Sequence, residues 1–206
     1  DLELKIKGEK LPYVSRGGFK LARALDIFKI SVLDQTAIDI GSSTGGFTDV
    51  MLQNGAKMFY AVDVGTNQLA WKIRQDNRVV VMEQFNFRYA KSEDFNHDLP
   101  TFASIDVSFI SLALILPALF DILLEGGHVV ALIKPQFEAG REQIGKNGII
   151  KDAKIHETVI ETVVNMANGL GFSTIGLTSS QIKGGHGNIE FLLHLTKNEE
   201  VTDHVT

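Results

Sequence analysis

The amino-acid sequence predicts an α/β protein built on a doubly wound, mostly parallel sheet with an antiparallel edge strand. Three observations carry this reading. Short apolar runs alternate with segments of helical spacing through most of the 206 residues. A glycine-rich turn, Gly41-Ser42-Ser43-Thr44-Gly45-Gly46, directly follows the first run. The last two runs are joined through Gly184-Gly185-His186-Gly187 with no helix between them. Strands separated by crossover helices lie parallel, with helices on both faces, whereas a helix-free connection brings in antiparallel pairing.

Residues 1–15 read as a linker with some strand character, and 16–206 as one domain, since the length is too short for two sizeable ones. Phe19, Ala22, Leu25 and Ile27/Phe28 recur at helical spacing and predict a helix over 18–29. The run 36–40 (TAIDI) is a strand, and 47–53 a helix closed by Asn54-Gly55. Next come a strand over 58–62 ending at Asp63, a helix over 68–74, and strands over 79–82 and 102–106. A helix over 112–124 is closed by Gly126-Gly127 and followed by a buried strand over 128–134. Residues 135–150 carry Pro135, Gly140, Gly145 and Gly148 with little periodicity, and a loop of that length inside a compact domain is usually functional. A helix over 153–168 ends at Gly169, and strands over 173–178 and 188–196 complete the pattern.

Composition narrows the function classes. Hydrophobic content of 44% and charged content of 22% are those of an ordinary globular chain. No apolar run reaches the roughly 20 residues of a membrane span. The first residues alternate charged with apolar side chains and lack a signal-peptide pattern. The absence of cysteine excludes disulfides, thiolate metal sites and cysteine nucleophiles, and the six histidines show no metal-ligand spacing, so no metal is expected. A cytoplasmic protein is the expectation. The net charge of −5 argues against a free-standing nucleic-acid binder. Charge is uneven, however. Between Lys5 and Lys29 seven basic residues face two acidic ones, and Lys134, Arg141, Lys146, Lys151 and Lys154 form a second basic group. Trp71, Phe85, Phe87, Phe102 and Phe109 are read as core rather than as base-stacking platforms.

In a doubly wound sheet the ligand lies beyond the carboxyl ends of the strands, where strand order reverses. Asp39, Gly41, Ser42, Ser43, Thr44, Gly45, Gly46 and Phe47 fall at the end of the first strand, where glycines bring backbone amides close to a ligand. Asp63 ends the second strand, 22 positions after Gly41, where a carboxylate can accept from a ribose diol. Dinucleotide enzymes use G-x-G-x-x-G; here the spacing is G-x-x-x-G-G, preceded by the acidic Asp39. An acid there repels pyrophosphate and suits the ammonium of a methionine moiety, which points to S-adenosylmethionine.

Four ionisable residues stand where separate elements should converge: Lys20 on the first helix, Asp106 and Lys134 at strand ends, and Glu190 in the last strand between Ile189 and Phe191. Charges in such apolar settings are costly unless paired. With them go the strings YVSRGGFKL, DIGSSTGGFTD, AVDVG, DVSFISL, LIKPQFE and GGHGNIEFLLHL. In these six strings, across about residues 10–196, the chain resembles the FtsJ-type RNA ribose methyltransferases, and specifically their TlyA-like branch, often labelled hemolysin.

The resemblance implies a Rossmann-like S-adenosylmethionine-dependent methyltransferase fold and 2′-O-ribose methylation of ribosomal RNA or ribosomal subunits, with cytidine as target. It places Lys20, Asp106, Lys134 and Glu190 on the family's Lys-Asp-Lys-Glu tetrad. Lys134 is then the general base, in the neutral form that burial beside Lys20 would favour. Asp106 positions it near the methyl group, and Lys20 and Glu190 orient the ribose. Asn86 falls where the family often has an Asp against the adenine. The resemblance also implies an N-terminal S4-type RNA-binding domain, absent from this chain, with the basic stretch from Lys5 to Lys20 as its linker. Arg141 and Lys146 are candidate phosphate contacts, and His186 a candidate neighbour of Glu190. Three competing readings are a membrane-acting cytolysin, a nicotinamide oxidoreductase and a non-catalytic RNA binder. The first lacks an amphipathic membrane helix or barrel-forming segment in the sequence, the second fails on glycine spacing, and the third gives no reason to keep four buried charges.

Overall fold

A computed structural model describes residues 10–198. The expected linker falls partly outside it, at residues 1–9. Seven strands form one sheet in the order β3-β2-β1-β4-β5-β7-β6. Strands β1 (Thr36–Ile40), β2 (Met58–Val62), β3 (Val79–Met82), β4 (Phe102–Ile105) and β5 (His128–Ile133) pair in parallel. Strand β7 (Phe191–Lys197) runs antiparallel to both β5 and β6 (Phe172–Ser179), giving the expected antiparallel margin with β7 one place in from the edge. The chain winds outward from β1 to β3 and then returns to place β4 on the other flank of β1. The strand order therefore reverses between β1 and β4.

Both faces of the sheet are covered, as a parallel sheet requires. Alternation along β1 divides the core: Ile38 and Ile40 pack with β4, β5 and the helices α4 (Leu116–Ile122) and α6 (Ala153–Leu170). Ala37 faces the other way, with Phe59, Phe102 and the helices α1 (Gly18–Ile27), α2 (Gly46–Gln53) and α3 (Trp71–Arg74).

Several elements depart from the sequence reading. The expected helix over 68–74 is only the single turn α3, because Gln68 lines a cavity and the Ala70 N–H bonds to the Thr44 carbonyl. The expected helix over 112–124 breaks into a 3-10 turn, Leu112–Leu114, and α4, which starts anew with Pro117 in its first turn, where the missing N–H is not needed. Helix α6 runs through Gly169 to Leu170, because Gly171, at φ 110°, supplies the left-handed cap. Glu190 lies one residue before β7 rather than within a strand. The long segment after β5 contains the short helix α5 (Pro135–Glu138) and two 3-10 turns.

Trp71 and Phe109 are exposed, at 68% and 90%, whereas Phe87 and Phe102 are buried as expected. An exposed aromatic cannot be told from a core one by sequence spacing alone.

Candidate active site

The turn after β1 is shaped by its glycines. Gly41 has φ 83°, and a Cβ there would stand 2.2 Å from the Asp106 carbonyl oxygen, so only glycine lets β1 and β4 approach this closely. Gly45, at φ 96°, is the left-handed residue that opens α2. A Cβ on Gly46 would meet the Ser15 hydroxyl at 2.3 Å, so the segment before α1 lies directly on the start of α2. That segment is held by Asp49, whose Oδ2 accepts from the Val14 N–H at 2.8 Å, and by Gln53, whose amide donates to the Pro12 carbonyl at 2.8 Å.

Two adjoining cavities open at the carboxyl ends of the strands. One, of about 430 Å³, is lined by Gly41, Ser43, Asp63, Gln68, Asn86 and Asp106, with Val64, Phe85, Phe87, Phe109 and Ile110 among its apolar walls. This size fits small-molecule sites, which run from roughly 300 to 1,000 Å³. The second, of about 100 Å³, is lined by Ser42, Ser43, Thr44, Gly46, Phe47 and Asp106, and by Ser15 and Gly17 from the strap before α1. Gly41, Ser43 and Asp106 belong to both. A larger hollow of about 670 Å³ lies at the opposite end of the sheet, around Thr36, Thr101 and His128, away from every residue of the tetrad.

Asp63 is anchored by backbone. Its Oδ2 accepts from Ser43 N–H at 2.7 Å and its Oδ1 from Gly65 N–H at 2.8 Å, which fixes the carboxylate against the glycine turn and leaves lone pairs toward the cavity. The Oδ1 of Asn86 caps the next turn, accepting from Arg88 N–H at 3.2 Å. Two expected cofactor residues stand apart. Gly45 packs toward Leu69 and Ile73, and its part is the turn. Asp39 is fully buried beneath the turn and lines neither cavity. Its two oxygens accept from the hydroxyls of Thr48 (2.8 Å) and Ser104 (3.2 Å), and burial pushes its pKa up to about 7.

The four ionisable residues form two ion pairs. Lys134 Nζ lies 2.6 Å from Asp106 Oδ1 and donates to Ser108 Oγ at 3.2 Å. Lys20 Nζ lies 2.9 Å from Glu190 Oε2. Glu190 is sealed over by the Gly184 backbone, where a Cβ would come within 1.7 Å of its Oε1. Sheet register links the pairs: Ile133 faces Phe191, so Lys134 and Glu190 leave β5 and β7 side by side. The Gln136 amide reaches toward Glu190 at 3.5 Å, and its Oε1 is buried without a partner among the described residues. Each lysine thus has its own carboxylate, with Asp106 on Lys134 as expected. His186 is exposed, and the contact expected of it falls to Gly184.

Sequence reasoning missed the roles of Ser15, Gly17, Gln68, Ser108 and Phe109. The signal for Phe109 was its neighbourhood, three residues past Asp106. It sits at φ 63°, unusual for a non-glycine residue, with its ring 4.9 Å from that of Phe137. Among the described residues no group of three or more His, Asp or Glu converges as a metal ion would require, and no helix is long and apolar enough to cross a membrane.

The sequence profile of the FtsJ-like methyltransferases matches residues 13–197. A Bacillus subtilis protein provisionally named an rRNA methyltransferase is 61% identical over 195 residues, 95% of this chain and 69% of its own. The 16S/23S rRNA (cytidine-2′-O)-methyltransferase TlyA of Mycobacterium tuberculosis is 42% identical, over 89% of this chain and 68% of its own. A solved structure of a provisionally named hemolysin from Streptococcus thermophilus superposes with a TM-score of 0.91 at 69% identity, covering 94% of this chain and 70% of that one.

Proposed function

The chain belongs to the FtsJ-like methyltransferase family, and on that premise we propose that it methylates the 2′-hydroxyl of a ribose in ribosomal RNA, at cytidine, with S-adenosylmethionine as donor. The observation that carries the reading is the Lys134–Asp106 ion pair at 2.6 Å, with Asp106 lining both cavities. It sets a potential base against the place where a methyl group would be presented.

The residues present fit the donor. The larger cavity offers apolar walls for an adenine, with Asn86 at its edge and Asp63 for the ribose diol. The smaller one offers the hydroxyls and amides of residues 42–46 to the amino-acid end. When bound, the donor supplies an electrophilic methyl on a sulfonium. The protein's part begins with Asp106, which holds Lys134 by its ion pair and fixes Nζ at the mouth of the cavity. In its neutral amine form Lys134 takes the proton of the ribose hydroxyl as that oxygen attacks, becoming the ammonium that Asp106 pairs, a role in which a positioned base contributes roughly 10²–10⁴-fold. Lys20 and Glu190, buried as a pair at the neighbouring strand end, orient the sugar indirectly by fixing the ion network around Lys134. Exposed Phe109 offers a ring face beside the cleft to the nucleobase. Alignment of hydroxyl, methyl and sulfur contributes much of the remaining rate.

The reading includes an upstream S4-type domain supplying RNA affinity and a cytoplasmic setting, as the family resemblance implies. The membrane-acting alternative rests on the hemolysin name alone. Tritiated S-adenosylmethionine incubated with full-length protein and ribosomal subunits tests the function. Methylation at O2′ removes the internal nucleophile of alkaline hydrolysis, so label should appear in alkali-resistant dinucleotides containing cytidine. Label confined to bases, or none on either subunit, would overturn the reading.

A further inference from the structure

Between Asp106 and Leu112 the chain has no regular structure, and none of the N–H groups of residues 107–111 bonds to another described residue. This stretch nonetheless carries Asp106, Ser108 and Phe109, and it walls the larger cavity. Phe109 at φ 63° adds a conformation that disfavours an L-residue by roughly 1–2 kcal/mol. A loop of this kind relaxes unless side chains hold it.

What holds it is the turn after β5. Lys134 bonds to Asp106 and Ser108, and Phe137 packs on Phe109. The far end is gripped by Glu138, whose Oε2 accepts from Ser111 Oγ at 2.6 Å while its Oε1 accepts from Leu112 N–H at 2.8 Å. Glu138 is absent from both cavity linings, yet it spends both carboxylate oxygens on the loop that bears the site.

We infer that Glu138 is a positioning residue for methyl transfer: its two bonds clamp residues 106–112 to the 134–138 turn, so that Asp106 and Phe109 are held facing the cleft. Ser108 is held by the same clamp, opposite Lys134. The inference rests on the methyltransferase reading above. Both oxygens act at once, so the two ends of the loop are fixed separately, one by the ion pair and the other by Glu138. Small displacements of a positioned group can cost up to about a hundred-fold in rate.

Glu138→Ala, Glu138→Gln and Ser111→Ala test it in the full-length protein. Amide exchange over residues 107–112, cofactor affinity, and kcat and KM for ribosomal RNA are measured for each. In Glu138→Ala, exchange at the Leu112 amide should rise about ten-fold and kcat should fall about ten-fold or more, with KM for RNA nearly unchanged. Ser111→Ala, which keeps the Leu112 bond, should fall between. Glu138→Gln should recover most of the loss, because its carbonyl accepts from Leu112 and its amide meets Ser111. A purely structural role would lower the melting temperature and leave kcat per folded molecule intact, and that result overturns the inference. So does unchanged exchange in Glu138→Ala. A wild-type protein that labels no RNA would sink the functional reading instead, while the exchange data still decide whether Glu138 holds the loop.

Discussion

Lys20 and Glu190 are 170 positions apart in sequence and 2.9 Å apart in space, both almost fully removed from water. Removing one partner of such a pair leaves a buried charge, which typically destabilises by about 3–5 kcal/mol. Glu190→Gln should therefore lower stability toward urea by an amount in that range and impair methyl transfer, whereas Lys20→Met with Glu190→Leu should regain stability and stay inactive. Equal stability of Glu190→Gln and wild type would contradict the pairing. Asp39 invites a different test. Its pKa is raised to about 7 by burial, so the protonated form is favoured in the folded state, and its contribution to stability is present below about pH 4 and lost as pH rises through 7. His194 acts in the opposite sense: burial and neighbouring His128 lower it to about 4, so its contribution is lost as pH falls from about 6.5. Asp39→Asn should remove the first effect alone. Its stability relative to wild type should climb between pH 4 and 7 and then level off, measured by urea unfolding at several pH values; a constant difference would rule this out. At this scale the sequence showed which residues carry charge near strand ends. The resemblance already set Asp106 beside Lys134, but nothing in the sequence showed that the hydroxyls of Thr48 and Ser104 claim Asp39, because such choices depend on contacts between distant elements.

Among the elements, the strap before α1 is the least regular and closely tied to the site. Ser15 and Gly17 wall the smaller cavity, and Asp49 on α2 fixes the strap through Val14 N–H while Lys72 lies 3.3 Å from the same oxygen. Asp49→Ala should loosen the strap and weaken cofactor binding by about ten-fold, in line with the roughly 1–3 kcal/mol of an unsatisfied buried N–H. Calorimetry reads this directly, and unaltered affinity would show that the strap is not part of the site. Strands β1, β2 and β3 were legible to the residue, since each apolar run is ended by glycine or a polar residue. The helices were overextended where apolar side chains pack on the glycine turn or start a 3-10 turn, as at Leu69 and Leu112: periodicity reports that a residue is buried and not what it is buried against.

For the molecule as a whole, the reversal of strand order between β1 and β4 creates the cleft, and the antiparallel β7 completes it by delivering Glu190 beside Lys134. The doubly wound sheet and its antiparallel margin were legible because α-helices separate β1 from β2, β2 from β3, β4 from β5 and β5 from β6, and none lies between β6 and β7. The order of strands was not, since it follows from packing on both faces. The most direct measurement is single-turnover methyl transfer to ribosomal RNA by the full-length protein and Lys134→Ala, with cofactor affinity measured alongside. The variant should bind the donor about as well as wild type and react at least about a hundred-fold more slowly. Transfer at the wild-type rate with the amine removed would contradict the assignment of Lys134 as the base.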